Sequence, residues 1–126
     1  MDATAASTAT YPDRYRAVLK KAPALGAAQP NIMRAFGGLH KAGTATGALD
    51  AKTKELMALA ISIAVGCEGC IAYHIHDAVE AGATRPELLE TISVGLMMGG
   101  GPGSIYAAHA LEAIEQFLPG ESANDG

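Results

Sequence analysis

The sequence predicts an all-α domain of six helices, and three observations lead there. No stretch alternates strictly between apolar and polar residues, as a half-buried strand would. The β-branched residues fall inside helix-length periodic patterns instead. Gly66, Gly82 and the glycine run beginning at Gly99 cut the apolar part of the chain into helix-sized lengths.

Taken in order, residues 1–10 are small and polar without periodicity and are expected to be disordered. A first short helix is expected over 11–21, its start marked by Pro12 and Asp13, with Tyr15, Val18 and Leu19 sharing a face. Residues 22–29 read as a connector. Pro30 and Asn31 open a second helix carrying Ile32, Met33, Phe36 and Leu39, and residues 43–47 read as a loop. Asp50 is the N-cap of a third helix over 51–65. From Leu56 to Val65 that helix is apolar on every face, which marks it as the most buried element or as an interface. Gly66 ends it, so that it forms a central antiparallel hairpin with a fourth helix opened by Cys67 and closed by Gly82. Thr84, Pro86 and Glu87 make a capping box with proline in the first turn, the start of a fifth helix. A tight turn at residues 99–103 separates it from a sixth, Ser104 to Leu118, and Pro119 stops that one. The domain is thus expected over 11–119, with a polar tail at 120–126.

Composition narrows the function. The chain is 49% hydrophobic and 17% charged, more apolar than a small monomer can readily cover, so a homo-oligomer is expected. The net charge of −4 and the lack of any basic cluster beyond Lys20 and Lys21 exclude nucleic acid as a natural partner. The N-terminal residues lack the basic and apolar regions of a signal peptide, and residues 56–66 are too short to span a bilayer. No membrane partner and a cytoplasmic location are therefore expected. In a reducing compartment a lone Cys-x-x-Cys pair is catalytic or metal-binding more often than a structural staple.

That pair is Cys67 and Cys70, the only cysteines, and His74 follows one turn after Cys70. At i and i+4 Cys70 and His74 share a helix face, so the imidazole can take the thiol proton and generate the reactive thiolate. A helix start lowers a thiol pKa further. His76, about 200° around the helix from His74, cannot share that face and is expected at the surface or in an interface. At ~1.5 Å per residue Glu55 lies ~16 Å before the bend and His74 ~10–12 Å after it. The carboxylate then comes near the imidazole and can orient it, although a helix-start acid needs no further role to be favoured. Tyr73 could contact the site, and His109 could supply a second polar contact or be a satisfied core histidine. The glycine run has no Gly-Lys-Ser/Thr ending and is not a phosphate loop.

Glu55, eleven intervening residues, and Cys67-x-x-Cys70-x-x-x-His74 together resemble the active-site signature of the carboxymuconolactone decarboxylase superfamily, in its alkylhydroperoxidase D-like branch. Leu49 to Glu55, Ala81 to Arg85, Met97 to Pro102 and Tyr106 to Leu111 continue the likeness, which spans roughly residues 30–118. The resemblance implies an orthogonal all-α domain assembled as trimers or hexamers. It also implies a redox-active Cys67/Cys70 pair, a proton relay from Cys70 through His74 to Glu55, and peroxidase or disulfide-reductase activity. Such activity needs no bound cofactor but does need an external thiol reductant, either a donor protein or a small thiol. One position departs: some peroxidase members have histidine directly before the second cysteine, where this chain has Gly69, which favours disulfide exchange over peroxide reduction. Two other readings of the residues stand beside this one. One is a Cys2His zinc site of Cys67, Cys70 and His74 completed by Glu55 or water. The other is a non-catalytic redox-sensing oligomer.

Overall fold

The structure, a computed structural model, describes residues 9–120, so the expected tails at 1–10 and 120–126 fall almost entirely outside the described residues. Five helices follow one another: α1 (Tyr11–Ala28), α2 (Pro30–Thr44), α3 (Ala51–Val65), α4 (Glu68–Glu80) and α5 (Arg85–Phe117). Among the described residues there is no strand.

The start signals of the last three helices act as the sequence suggests. Asp50 accepts from the Thr53 N–H (2.7 Å), Cys67 is the N-cap of α4, and Thr84 and Glu87 close a reciprocal capping box on α5. One boundary differs from expectation at the N-terminal end. Helix α1 begins at Tyr11 as expected, capped by Thr10, but it runs through the expected connector to Ala28. Pro23 forfeits only one backbone bond, and the alanines around it are the strongest helix formers. What ends α1 is Pro30, which pushes Gln29 out of the helical region (φ −137°, ψ 67°).

The six expected helices are five, because the glycine run does not interrupt α5 fully. Only Gly100 leaves helical geometry (φ 65°, ψ −147°), so the run is a kink and not a turn. Two glycines of α5, Gly95 and Gly99, let it approach α3 closely. A Cβ at Gly95 would stand 2.8 Å from Cβ of Ile63, and one at Gly99 would stand 3.2 Å from Cα of Ala64.

The core is built from Leu59 and Ile63 of α3, Ile71 and Ile75 of α4, and Leu88 and Ile114 of α5, all fully buried. Helix α3 is not the most buried element, contrary to expectation. One face holds Leu59 and Ile63, while Met57, Ile61 and Val65 are 50%, 61% and 70% exposed. A single chain covers only one side of a helix that is apolar all round. The more enclosed helix is α4, with Ile71, Ala72, Ile75 and Ala78 at 0%. The chain reverses between α3 and α4 at Gly66, whose left-handed conformation (φ 73°) favours glycine; a Cβ there would also meet the Tyr106 ring at 2.8 Å.

Candidate active site

The reversal at Gly66 places Cys67 at the N-cap of α4 and Cys70 within its first turn. Both cysteines are half-buried and joined in a disulfide across 5.2 Å between Cα atoms. The Cys70 N–H donates to Cys67 Sγ (3.2 Å), so the sulfur fills the place a capping oxygen usually takes. A Cys67 thiolate there would keep that N–H and face the positive end of the helix dipole, which favours the charged form.

One turn on, His74 meets Glu55 across the hairpin, with Nδ1 to Oε2 at 2.7 Å. The glutamate side chain is 6% exposed and the histidine 18%. With the carboxylate ionised, Nδ1 carries the shared proton and Nε2 is the nitrogen left to accept another. Solvent exclusion makes the pair effective: a carboxylate in a poorly screened setting stabilises an adjacent imidazolium far more than one in water. Tyr73 packs its ring edge-on to His74 (centroids 5.4 Å apart), between Tyr15 and His40, and burial together with nearby Asp77 raises its hydroxyl pKa.

His109 is not on that side. Its Nδ1 bonds Glu68, the residue between Cys67 and Gly69, and the same carboxylate accepts from the Tyr11 hydroxyl (2.6 Å). Tyr11 is 3% exposed; burial first, and the bond to Glu68 second, push its hydroxyl pKa well above the usual phenol range. Its backbone N–H donates to Gln116 Oε1 (2.6 Å), so the cysteine-bearing turn is tied to both ends of the domain. His76, expected at the surface or in an interface, is half-buried. It stacks on Tyr15 with ring centroids 3.9 Å apart and bonds Asp77 through Nδ1 (2.9 Å), because α1 extends over this side of α4.

The structure thus brings Glu55 to His74, with Tyr73 alongside and the cysteines on the same helix, while His109 joins the cysteine turn through Glu68. The Cys2His zinc set is not assembled in this state: the two sulfurs are bonded to each other and His74 Nδ1 is engaged by Glu55. Sequence reasoning missed two sets of residues. Glu68 could have been found as the acid in the first turn of α4, but its partner Tyr11 lies 57 residues away. His40, Glu55 and Asp77 hold ligand-type atoms all within 4.8 Å of one another, the group among the described residues best placed to hold a metal ion. Asp77 follows His74 by three residues and could have been read as a helix neighbour; His40 comes from α2 with no local signal.

Comparison with known proteins places these features in a family. Residues 30–113 match the family described as Carboxymuconolactone decarboxylase family. An uncharacterized protein from Cupriavidus necator is 47% identical over 88 residues, 70% of this chain and 78% of that one. A carboxymuconolactone decarboxylase family protein from Legionella pneumophila, in an apo crystal structure, superposes with a TM-score of 0.81 at 43% identity, over 85% of this chain and 96% of its own. A family protein from Thermotoga maritima, for which a part in an antioxidative response has been suggested, superposes with a TM-score of 0.65 at 33% identity, over 74% of this chain and 94% of its own.

Proposed function

The chain belongs to the carboxymuconolactone decarboxylase family, and from that premise we propose that it is a thiol-dependent peroxidase or disulfide oxidoreductase. The observation that carries this reading is the Cys67–Cys70 disulfide at the start of the helix that also bears His74, itself held by Glu55. In the reduced protein His74 Nε2 takes the Cys70 proton, and Glu55 stabilises the imidazolium that results. One thiolate then attacks. With a peroxide, the O–O bond breaks, a sulfenic acid forms and an alcohol or water leaves; the second cysteine attacks that sulfur, expels water and closes the Cys67–Cys70 disulfide. With a partner disulfide, a mixed disulfide forms and the second cysteine releases the partner as a dithiol. An external dithiol, small or protein-borne, reopens the pair, and the cytoplasm is a compartment that supplies one. Gly69 in place of a histidine leaves Cys70 without a second adjacent base, so exchange with disulfides should outpace peroxide turnover.

Thiol titration tests this. The reduced protein should show two reactive thiols per chain, lose both on adding one equivalent of peroxide or a disulfide, and regain them with a dithiol donor. Thiols that persist through the oxidant, or full turnover by the Cys67→Ser variant, would overturn it.

We also propose a homo-oligomer, a trimer or hexamer, with the outer face of α3 in the contact. Two open apolar grooves of about 300 and 360 Å³ run along that face and share Met57 and Ile61. On α5, Met97 and Met98 are 71% and 72% exposed. Among the described residues no helix is long and apolar enough to cross a membrane, so a lipid bilayer is not the natural cover for this surface. Light scattering should return a multiple of 12.8 kDa at micromolar concentration; a monomer mass would contradict the proposal.

A further inference from the structure

We propose that His40, Glu55 and Asp77 form a binding site for one divalent transition-metal cation, which would share Glu55 with His74. The three residues come from three helices, α2, α3 and α4, and their ligand-type atoms all lie within 4.8 Å of one another. Points so spaced sit within about 2.8 Å of a common centre. Metal bonds from imidazole and carboxylate run ~2.0–2.2 Å, so side-chain movements below ~1 Å would close the site.

Electrostatics and hydrogen bonding both call for an occupant. Glu55 is buried and Asp77 half-buried, and two carboxylates with oxygens within 4.8 Å of each other repel unless something positive stands between them. Each carboxylate also bonds a second histidine, Glu55 to His74 and Asp77 to His76. Histidines bonded to ligating carboxylates in this way form the outer shell that orients metal ligands. The third member of the group is His40, whose Nε2 is shut off from solvent without a hydrogen-bond partner, an uncommon state for a buried imidazole nitrogen. A cation would use the spare carboxylate lone pairs and neutralise their repulsion, with water completing its shell.

The donor set has one nitrogen, two carboxylates and no sulfur. That combination suits Mn²⁺, Fe²⁺, Co²⁺ or Zn²⁺, while the imidazole disfavours Mg²⁺ and Ca²⁺. No ligand comes from Cys67 or Cys70, so the site stands or falls independently of the redox reading. Where both hold, a bound cation draws on the Glu55 charge that His74 relies on and slows thiolate formation at Cys70.

The test is a Co²⁺ titration of the untagged, oxidised full-length protein, followed by calorimetry and visible absorption. One cobalt ion per chain should bind, with ligand-field bands and no sulfur charge-transfer band, and the Cys67→Ser/Cys70→Ser double variant should bind equally well. His40→Ala and Asp77→Asn should each weaken binding at least ~10²-fold, the upper end of what losing even an outer-shell partner does. His40→Gln, which keeps the side-chain bulk, guards against misfolding: it should retain wild-type helix content and lose the Co²⁺-induced rise in Tm. Absence of binding at millimolar Co²⁺, wild-type affinity in His40→Gln, or loss of binding in the cysteine variant would each overturn the proposal.

Discussion

Two carboxylate–histidine pairs reach α4 from different sides: Glu55 with His74, whose side chains are 6% and 18% exposed, and Glu68 with His109, at 30% and 41%. The chemistry of the two pairs is the same and the setting differs. A unit charge pair ~4 Å apart is worth ~1 kcal/mol in water but ~4 kcal/mol at the effective dielectric of a partly buried site. Glu55 is therefore the better placed of the two carboxylates to orient its imidazole, while the more open pair is screened by solvent. Glu68 acts chiefly as an anchor, because its carboxylate also holds the buried Tyr11 hydroxyl and so fixes α1 against the cysteine turn. Placement on the hairpin seam, more than residue type, separates the enclosed pair from the open one.

The largest expected effect separates the two pairs directly. His74→Ala should slow alkylation or oxidation of the reduced cysteines by ~10²–10⁴-fold, the usual cost of losing a general base. His109→Ala should change the same rate by less than ~3-fold, in keeping with the small effect of exposed ion pairs. Equal losses at both positions, measured by stopped-flow thiol assays, would erase the distinction.

Burial of the first pair depends on how α4 packs, which makes Ile75 the next test. Fully enclosed beside His74, it should cost ~2–5 kcal/mol of unfolding free energy when changed to Ala, read from urea denaturation. A smaller effect would mean that the hairpin seam is looser than the contacts imply.

The second pair is probed through Tyr11. Tyr11→Phe removes a hydroxyl bonded to a carboxylate and should cost ~1.5–3 kcal/mol at neutral pH. The pH dependence has a definite sign. The folded-state pKa is raised above the usual phenol value of 10.0, chiefly by burial, so the stability tied to this group is full below pH 10 and is lost as pH rises toward the folded pKa. Wild type should therefore lose more stability than Tyr11→Phe on going above pH 10, in denaturation curves taken across that range. Identical alkaline profiles would show that Tyr11 is not tied to Glu68 as described.

The same contrast explains how much was legible in the sequence. Glu55, Cys67, Cys70 and His74 lie within one helix–glycine–helix unit, so 1.5 Å per residue and one reversal are enough to bring the carboxylate near the imidazole. Glu68, Tyr11, His40 and Gln116 meet over long separations that no local periodicity records. The boundaries failed for a similar reason. Pro23 and the glycine run are strong local signals, yet an alanine-rich flank carried α1 past the first, and at the second only Gly100 leaves helical geometry. The burial of α3 was misjudged because an all-round apolar helix shows that both faces need cover without showing whether the chain itself supplies it.

The most direct measurement is a double-mutant cycle on Glu55 and His74, reading the pH dependence of Cys70 alkylation in the reduced protein. Glu55→Gln should slow the reaction less than His74→Ala does, since it keeps the shape and removes only the charge that stabilises the imidazolium. The double variant should be no slower than His74→Ala alone, because both residues serve one proton path. Wild-type alkylation rates in both single variants across about pH 6–8, where an imidazole titrates, would contradict the relay and reduce the site to a bare Cys-x-x-Cys.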